Sequence, residues 1–132
     1  IGKIPEEARH YCLHIVSENE RVLSCVSALR RRDMSRVGKL LTESHESLRD
    51  LYEGTSPEVD WLVKHTHAVP GIYGARLAGG STGSCALLLG DANTHEQLSP
   101  ILGEYERIFG FHPTVMPCSP DGGVRIDYRE GT

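Results

Sequence analysis

The chain is poor in aromatic residues, with one tryptophan, two phenylalanines and five tyrosines among 132 residues. No apolar run approaches the roughly 20 residues that cross a bilayer, and no signal-peptide pattern opens the sequence, so neither a membrane span nor a membrane partner is expected. There is no basic excess either. Fourteen Lys and Arg against 18 Asp and Glu leave a net charge of −4, which gives no general attraction to nucleic acid or to anionic surfaces. The four cysteines, at 12, 25, 85 and 118, form no C-x-x-C pair and no metal-ligand spacing. That pattern argues against a zinc framework and for reduced thiols in a reducing compartment, hence a cytoplasmic protein. Cys12, Cys25 and Cys85 lie beside apolar neighbours and are expected to pack as small hydrophobes. Repeats and low-complexity segments are missing, and no methionine precedes Ile1, so the sequence is expected to be a piece of a longer product.

What is present is the composition of one soluble domain spanning residues 1–132, with 39% hydrophobic and 24% charged residues. Between residues 5 and about 31, Ala8, Tyr11, Ile15, Val22, Val26 and Leu29 recur at three-four spacing and define a helical stripe expected to face the core. The stripe has a gap at Glu18 and Asn19. A second helix, from 34 to about 52, repeats the design with Met34, Val37, Leu41, Leu48 and Tyr52, and its gap falls on Ser44 and His45. Polar groups on a core-facing stripe need partners or cost roughly 1–3 kcal/mol each, so the two gaps are expected to share a polar network or line a cleft. Ser56-Pro57 reads as a cap and first residue of a third helix burying Val59, Leu62 and Val63, ended by Pro70-Gly71. Strands follow at 72–77 and 85–89. Thr94, with Gln97 three residues on, caps a fourth helix that Gly110 closes. Short strands at 114–116 and 123–126 flank a turn at Pro120-Asp121-Gly122. This order predicts an α+β domain, helices on one face of a small antiparallel sheet.

Several residue groups have two readings on spacing alone. The loop Gly79-Gly80-Ser81-Thr82-Gly83-Ser84 fits a plain hairpin connection, and equally a turn whose successive N–H groups cradle phosphate oxygens. His45, Leu48, Arg49 and Tyr52 share one helix face, either a structural polar face or the border of a cleft. Glu18 and Arg21 suit a helix ion pair as well as a cleft role. His10 and His14 stand one turn apart without a third metal ligand nearby. His65 and His67 are expected to be solvated, and Arg30-Arg31-Arg32 to complement the carbonyls that end the first helix.

Three segments bear on the loop and on the His45 face, and favour a binding loop and a cleft border, while a helix ion pair remains the simpler account of Glu18 and Arg21. His14-Ile15-Val16-Ser17-Glu18-Asn19-Glu20-Arg21-Val22, then Glu43-Ser44-His45-Glu46-Ser47-Leu48-Arg49-Asp50 with Tyr52, then Val69-Pro70-Gly71-Ile72-Tyr73-Gly74-Ala75-Arg76-Leu77 with the glycine loop resemble, in order and spacing, the galactokinase branch of the GHMP kinase superfamily. That superfamily also includes homoserine and mevalonate kinases. The resemblance weakens after Gly90 and returns at Ser119-Pro120-Asp121-Gly122. It implies a GHMP kinase C-terminal domain with a ferredoxin-like antiparallel sheet. It implies a parent that uses ATP and Mg²⁺ to phosphorylate the anomeric hydroxyl of galactose or a related sugar. By the same resemblance Gly79, Gly80, Ser81, Thr82, Gly83 and Ser84 close over the phosphates, while Glu18, Asn19, Ser44, His45, Arg49 and Arg76 support the cleft. The catalytic and metal-binding residues of such a kinase belong to an N-terminal lobe, the expected partner, so the chain by itself is expected to hold no catalytic residue and to be inactive. The loop departs from the pattern. Ser81, Thr82 and Ser84 stand where Gly, Phe and Gly are usual, Ala78 replaces a threonine, Leu51 an aspartate and Gly54 a valine. A non-catalytic sugar- or ATP-binding regulator and a free-standing interaction module are therefore the alternatives.

Overall fold

The computed structural model describes residues 3–79 and 85–126. Two long helices, α1 (Glu6–Arg30) and α2 (Met34–Ser47), form an antiparallel hairpin. The turn between them satisfies its own backbone. The N–H groups of Arg31, Arg32 and Asp33 donate to the carbonyls of Ser27, Leu29 and Ala28, with Arg32 left-handed at φ 57°. Main-chain donors thus take these carbonyls, and Arg30 stands in the last turn of the helix. The Asp33 carboxylate then caps α2 by accepting from Arg36 N at 3.0 Å.

The second helical segment reaches Tyr52 as expected, but α2 changes form before it. It passes into one π-helical turn, Leu48–Tyr52, closed by Glu53 in the left-handed region. Helix α3 (Pro57–Thr66) starts as the Ser56-Pro57 signal predicts, with Ser56 Oγ accepting from Val59 N. Strands β1 (Ile72–Ala78) and β2 (Cys85–Gly90) pair antiparallel with a bulge between Ile72 and Gly74. A 3-10 turn, Thr94–Leu98, leads into α4 (Ser99–Phe109), which ends on Gly110 at φ 82°. Thr94 does not cap this helix. Its side chain is buried behind Gly71, where a Cβ would meet Thr94 Oγ1 at 2.6 Å, and Leu98 holds the cap position of α4 without a side-chain cap bond.

The core lies under the hairpin, where Val59 and Val63 of α3 pack on Ala75 and Leu77 of β1 with Leu48, Ala86 and Leu88 around them. Stacked beside it, Trp61 faces His65 at 3.9 Å and meets Tyr105 of α4, itself against Phe109 and Phe111. His65 is therefore half-buried rather than solvated, whereas His67 is exposed.

Three expectations fail. The apolar stripe of α1 does not face this core: Tyr11, Ile15, Val22, Val26 and Leu29 are exposed, and the buried residues of the helix are His14 and Ala28. Cys12 and Cys85 are exposed thiols rather than packed ones, and Cys25 is half-buried. No strand forms at 114–116 or 123–126, so the described sheet has two strands, not four. Pro113 and Pro117 flank the first of those runs and supply no N–H to a ladder. Val115, Met116, Val124 and Ile126 lie exposed. The architecture remains α+β, with α2 and α3 against one small antiparallel sheet.

Candidate functional site

Strand β1 is fixed on both edges. One edge pairs with β2, and on the other the N–H groups of Ala75 and Leu77 donate to Thr42 Oγ1 at 3.4 Å and His45 Nδ1 at 3.0 Å. Two side chains of α2 thereby do the work of a further strand. Such an approach requires the backbones to touch. A Cβ on Gly38 would fall 2.2 Å from the Tyr73 carbonyl, and one on Gly74 only 1.8 Å from the Gly38 carbonyl oxygen.

His45 is almost fully buried, at 1% exposure, and bridges three elements. Because its Nδ1 accepts from Leu77, its proton sits on Nε2 and donates to Asp60 Oδ1 at 2.8 Å; Thr55 Oγ1 donates to the other oxygen at 3.1 Å. The second polar gap is filled in parallel. Glu18 of α1 accepts from Ser44 Oγ at 2.7 Å and from Arg21 Nε at 2.6 Å, with Arg76 Nη1 at 3.9 Å. Burial works to raise the Glu18 carboxyl, but the hydrogen bonds from Arg21 and Ser44 and the Arg21 charge outweigh it and hold it below the usual carboxylate range. Arg21 also donates to Ser17 Oγ, and His14 Nδ1 lies 2.8 Å from Ser47 Oγ, so the inward face of α1 is polar from His14 to Arg21. His14, once a candidate metal ligand with His10, is occupied by Ser47 and lies against the Tyr52 ring.

Glu18, Ser44, His45 and Arg76 thus gather where α1, α2 and β1 meet, and β1 is followed by Gly79, with φ 91°. Gly80, Ser81, Thr82, Gly83 and Ser84 lie outside the described residues. Arg49 and Asn19 do not join the group. The π turn adds a residue to the helical repeat and breaks the shared face, so Arg49 turns outward to grip Asp50 at 2.7 and 3.0 Å. Asn19 is exposed and makes no side-chain hydrogen bond among the described residues. Thr42, Thr55 and Asp60 belong to the network and were not among the candidates. Their sequence signal is slight, since Asp60 reads as an ordinary first-turn acid of α3.

The geometry brings together the three segments singled out in the sequence. The model for the family described as GHMP kinases C terminal matches residues 25–105. The chain belongs to the GHMP kinases. Among them, it is 40% identical to the galactokinase of Glaesserella parasuis over 128 residues, which are 96% of this chain and 33% of that enzyme. It is 39% identical to the galactokinase of Thermosipho africanus over 112 residues, 84% of this chain and 32% of that enzyme. The crystal structure of Lactococcus lactis galactokinase complexed with galactose superposes with a TM-score of 0.74 at 31% identity, covering 82% of this chain and 28% of that one. This GHMP kinase chain spans about a third of the length of the curated relatives it matches. No described helix is long and apolar enough to cross a membrane.

Proposed function

We propose that the chain is the C-terminal part of a galactokinase-like sugar kinase, whose parent transfers the γ-phosphate of ATP to the anomeric hydroxyl of galactose or a related sugar. The observation that carries this reading is the similarity to galactokinases over nearly the whole chain, with the three matched segments meeting at one junction. In this reading the chain contributes structure and charge to the phosphate side of the cleft. Phosphoryl transfer is accelerated mainly by positioning and by stabilising charge on the transferred group. The loop from Gly79 to Ser84 is assigned to the ATP phosphates on the family resemblance, with Ser81, Thr82 and Ser84 as additional hydroxyl-bearing residues. The junction of Glu18, Ser44, His45 and Arg76 holds the strand that feeds the loop. The Mg²⁺ ligands are assigned to the N-terminal lobe, as the resemblance to the family implies. The same lobe supplies the group that deprotonates or orients the sugar hydroxyl.

The test is ADP release by the parent polypeptide with galactose and other aldoses. Turnover with an aldose supports the kinase; sugar and nucleotide binding without turnover supports the regulator, which the altered loop residues Ser81, Thr82 and Ser84 favour. The chain by itself is expected to show no turnover and to bind ATP more weakly than about 1 mM, a level worth about 4 kcal/mol. Micromolar affinity in calorimetry would contradict that expectation.

A further inference from the structure

Arg21, Arg49, Arg76 and Arg107 each pair with a carboxylate. Arg31 and Arg36 do not: among the described residues neither guanidinium makes an ion pair or a hydrogen bond. Both line one cleft of about 340 Å³ at the turn that joins α1 to α2, and Leu23, Ser24 and Ser27 complete its wall. Ser24, Ser27 and Arg31 follow one another at three and four residues along one flank of α1, and Arg36 enters from the first turn of α2. Asp33 is the one acid among residues 30–36, against four arginines, and its carboxylate is engaged by the Arg36 N–H at 3.0 Å. Glu20, exposed, stands four residues before Ser24 on the same flank. We propose that this cleft binds the phosphate group of a small phosphorylated metabolite.

A guanidinium fork fits carboxylate and phosphate alike. Two forks with two hydroxyls, however, offer more donors than the two oxygens of a carboxylate can arrange, and they suit the three free oxygens of a phosphate ester. The volume lies at the small end of the roughly 300–1,000 Å³ typical of small-molecule sites, so a phosphate leaves room for a short polar skeleton, and Leu23, 73% exposed, offers that skeleton an apolar contact. A nucleic-acid backbone is disfavoured by the net charge of −4. At roughly 3.6 residues per turn, Ser24, Ser27 and Arg31 stand about half a turn around α1 from Val22, Val26 and Leu29, so the cleft and the apolar stripe open on opposite sides of the helix. Strand β1 meets α2 first at Gly38 and then at His45, and so runs away from Arg36 toward the junction with Glu18 and Ser44. The cleft stands whether or not the parent turns over a sugar.

The test is NMR of the native polypeptide that carries this chain, with isotope-labelled arginine, so that each Nε–H reports on its own side chain. Inorganic phosphate, galactose 1-phosphate and acetate are titrated in turn at constant ionic strength. The Nε–H signals of Arg31 and Arg36 are expected to move together and to saturate with a dissociation constant of about 1 mM or tighter for galactose 1-phosphate, with weaker saturation by inorganic phosphate and none by acetate. Arg31→Lys, which keeps the charge at an exposed position but loses the fork, should weaken binding roughly tenfold or more; Arg36→Gln repeats the measurement from the other helix. A drift without saturation by about 10 mM, shifts shared equally with Arg30 and Arg32, or an unchanged affinity in Arg31→Lys would each overturn the inference in favour of diffuse charge screening. Equal saturation by acetate would replace phosphate with a carboxylate, and inorganic phosphate binding as tightly as the ester would remove the metabolite and leave a free ion.

Discussion

Helices α1 and α2 carry the same kind of pattern, an apolar stripe interrupted by two polar residues, yet only the stripe of α2 is covered. Val37 of that stripe is buried, and the interruption at Ser44 and His45 is buried with it because each finds partners on a neighbouring element. On α1 the interruption reaches inward through Glu18 while the apolar residues on either side look outward. Periodicity therefore tells that a helix has a face to bury. Which face meets the rest of the chain is decided by close backbone approach and by specific polar pairs, and Gly38 against Gly74 with His45 against Leu77 settles it for α2.

The comparison breaks most readily at the glycine contact. Gly74→Ala places a methyl within the Gly38 carbonyl, and is expected to cost about 3 kcal/mol or more in urea unfolding. A loss under about 1 kcal/mol would mean that α2 and β1 are not so close. His45→Ala comes next. It strands the Leu77 N–H and the Asp60 carboxylate and opens a cavity, with an expected loss of roughly 2–4 kcal/mol. Glu18→Gln retains the shape but removes the charge shared with Arg21, with an expected loss of about 1–2 kcal/mol by thermal melts at neutral pH.

The same carboxyl gives a pH test. Because its pKa is lowered in the fold, its stabilisation is complete above the unfolded value and disappears as pH falls through the folded one. Stability should decline on acidification in the wild type and less steeply in Glu18→Gln; identical pH profiles would show that Glu18 is not held by this network. The smallest effect belongs to Arg49→Ala, which removes an exposed pair with Asp50 and should shift stability by under about 0.5 kcal/mol.

Much of this was legible before the structure. The helix starts at Ser56-Pro57, the closing Gly110, the two strands around the glycine loop and the pairing of the gaps at Glu18 and Ser44 all follow from local signals. What was not legible depends on neighbours far along the chain. The direction of the α1 stripe, the π turn that parts Arg49 from His45, and the recruitment of Asp60 and Thr55 are set by tertiary contacts with no short-range signature. The strands expected at 114–116 and 123–126 do not form, and the apolar residues Val115, Met116, Val124 and Ile126 lie exposed.

The seam between α2 and β1 also bears on how the domain opens. Its hydrogen bonds join residues 32 and 33 positions apart, so the intervening chain must be gathered before any of them forms, and none can be released singly without parting the glycine backbones. The outer amides of a two-stranded hairpin are ordinarily the first to trade their hydrogens with solvent. Here Ala75 and Leu77 are clamped under a helix, and they would be among the last, exchanging only when the helix lifts away with the strand.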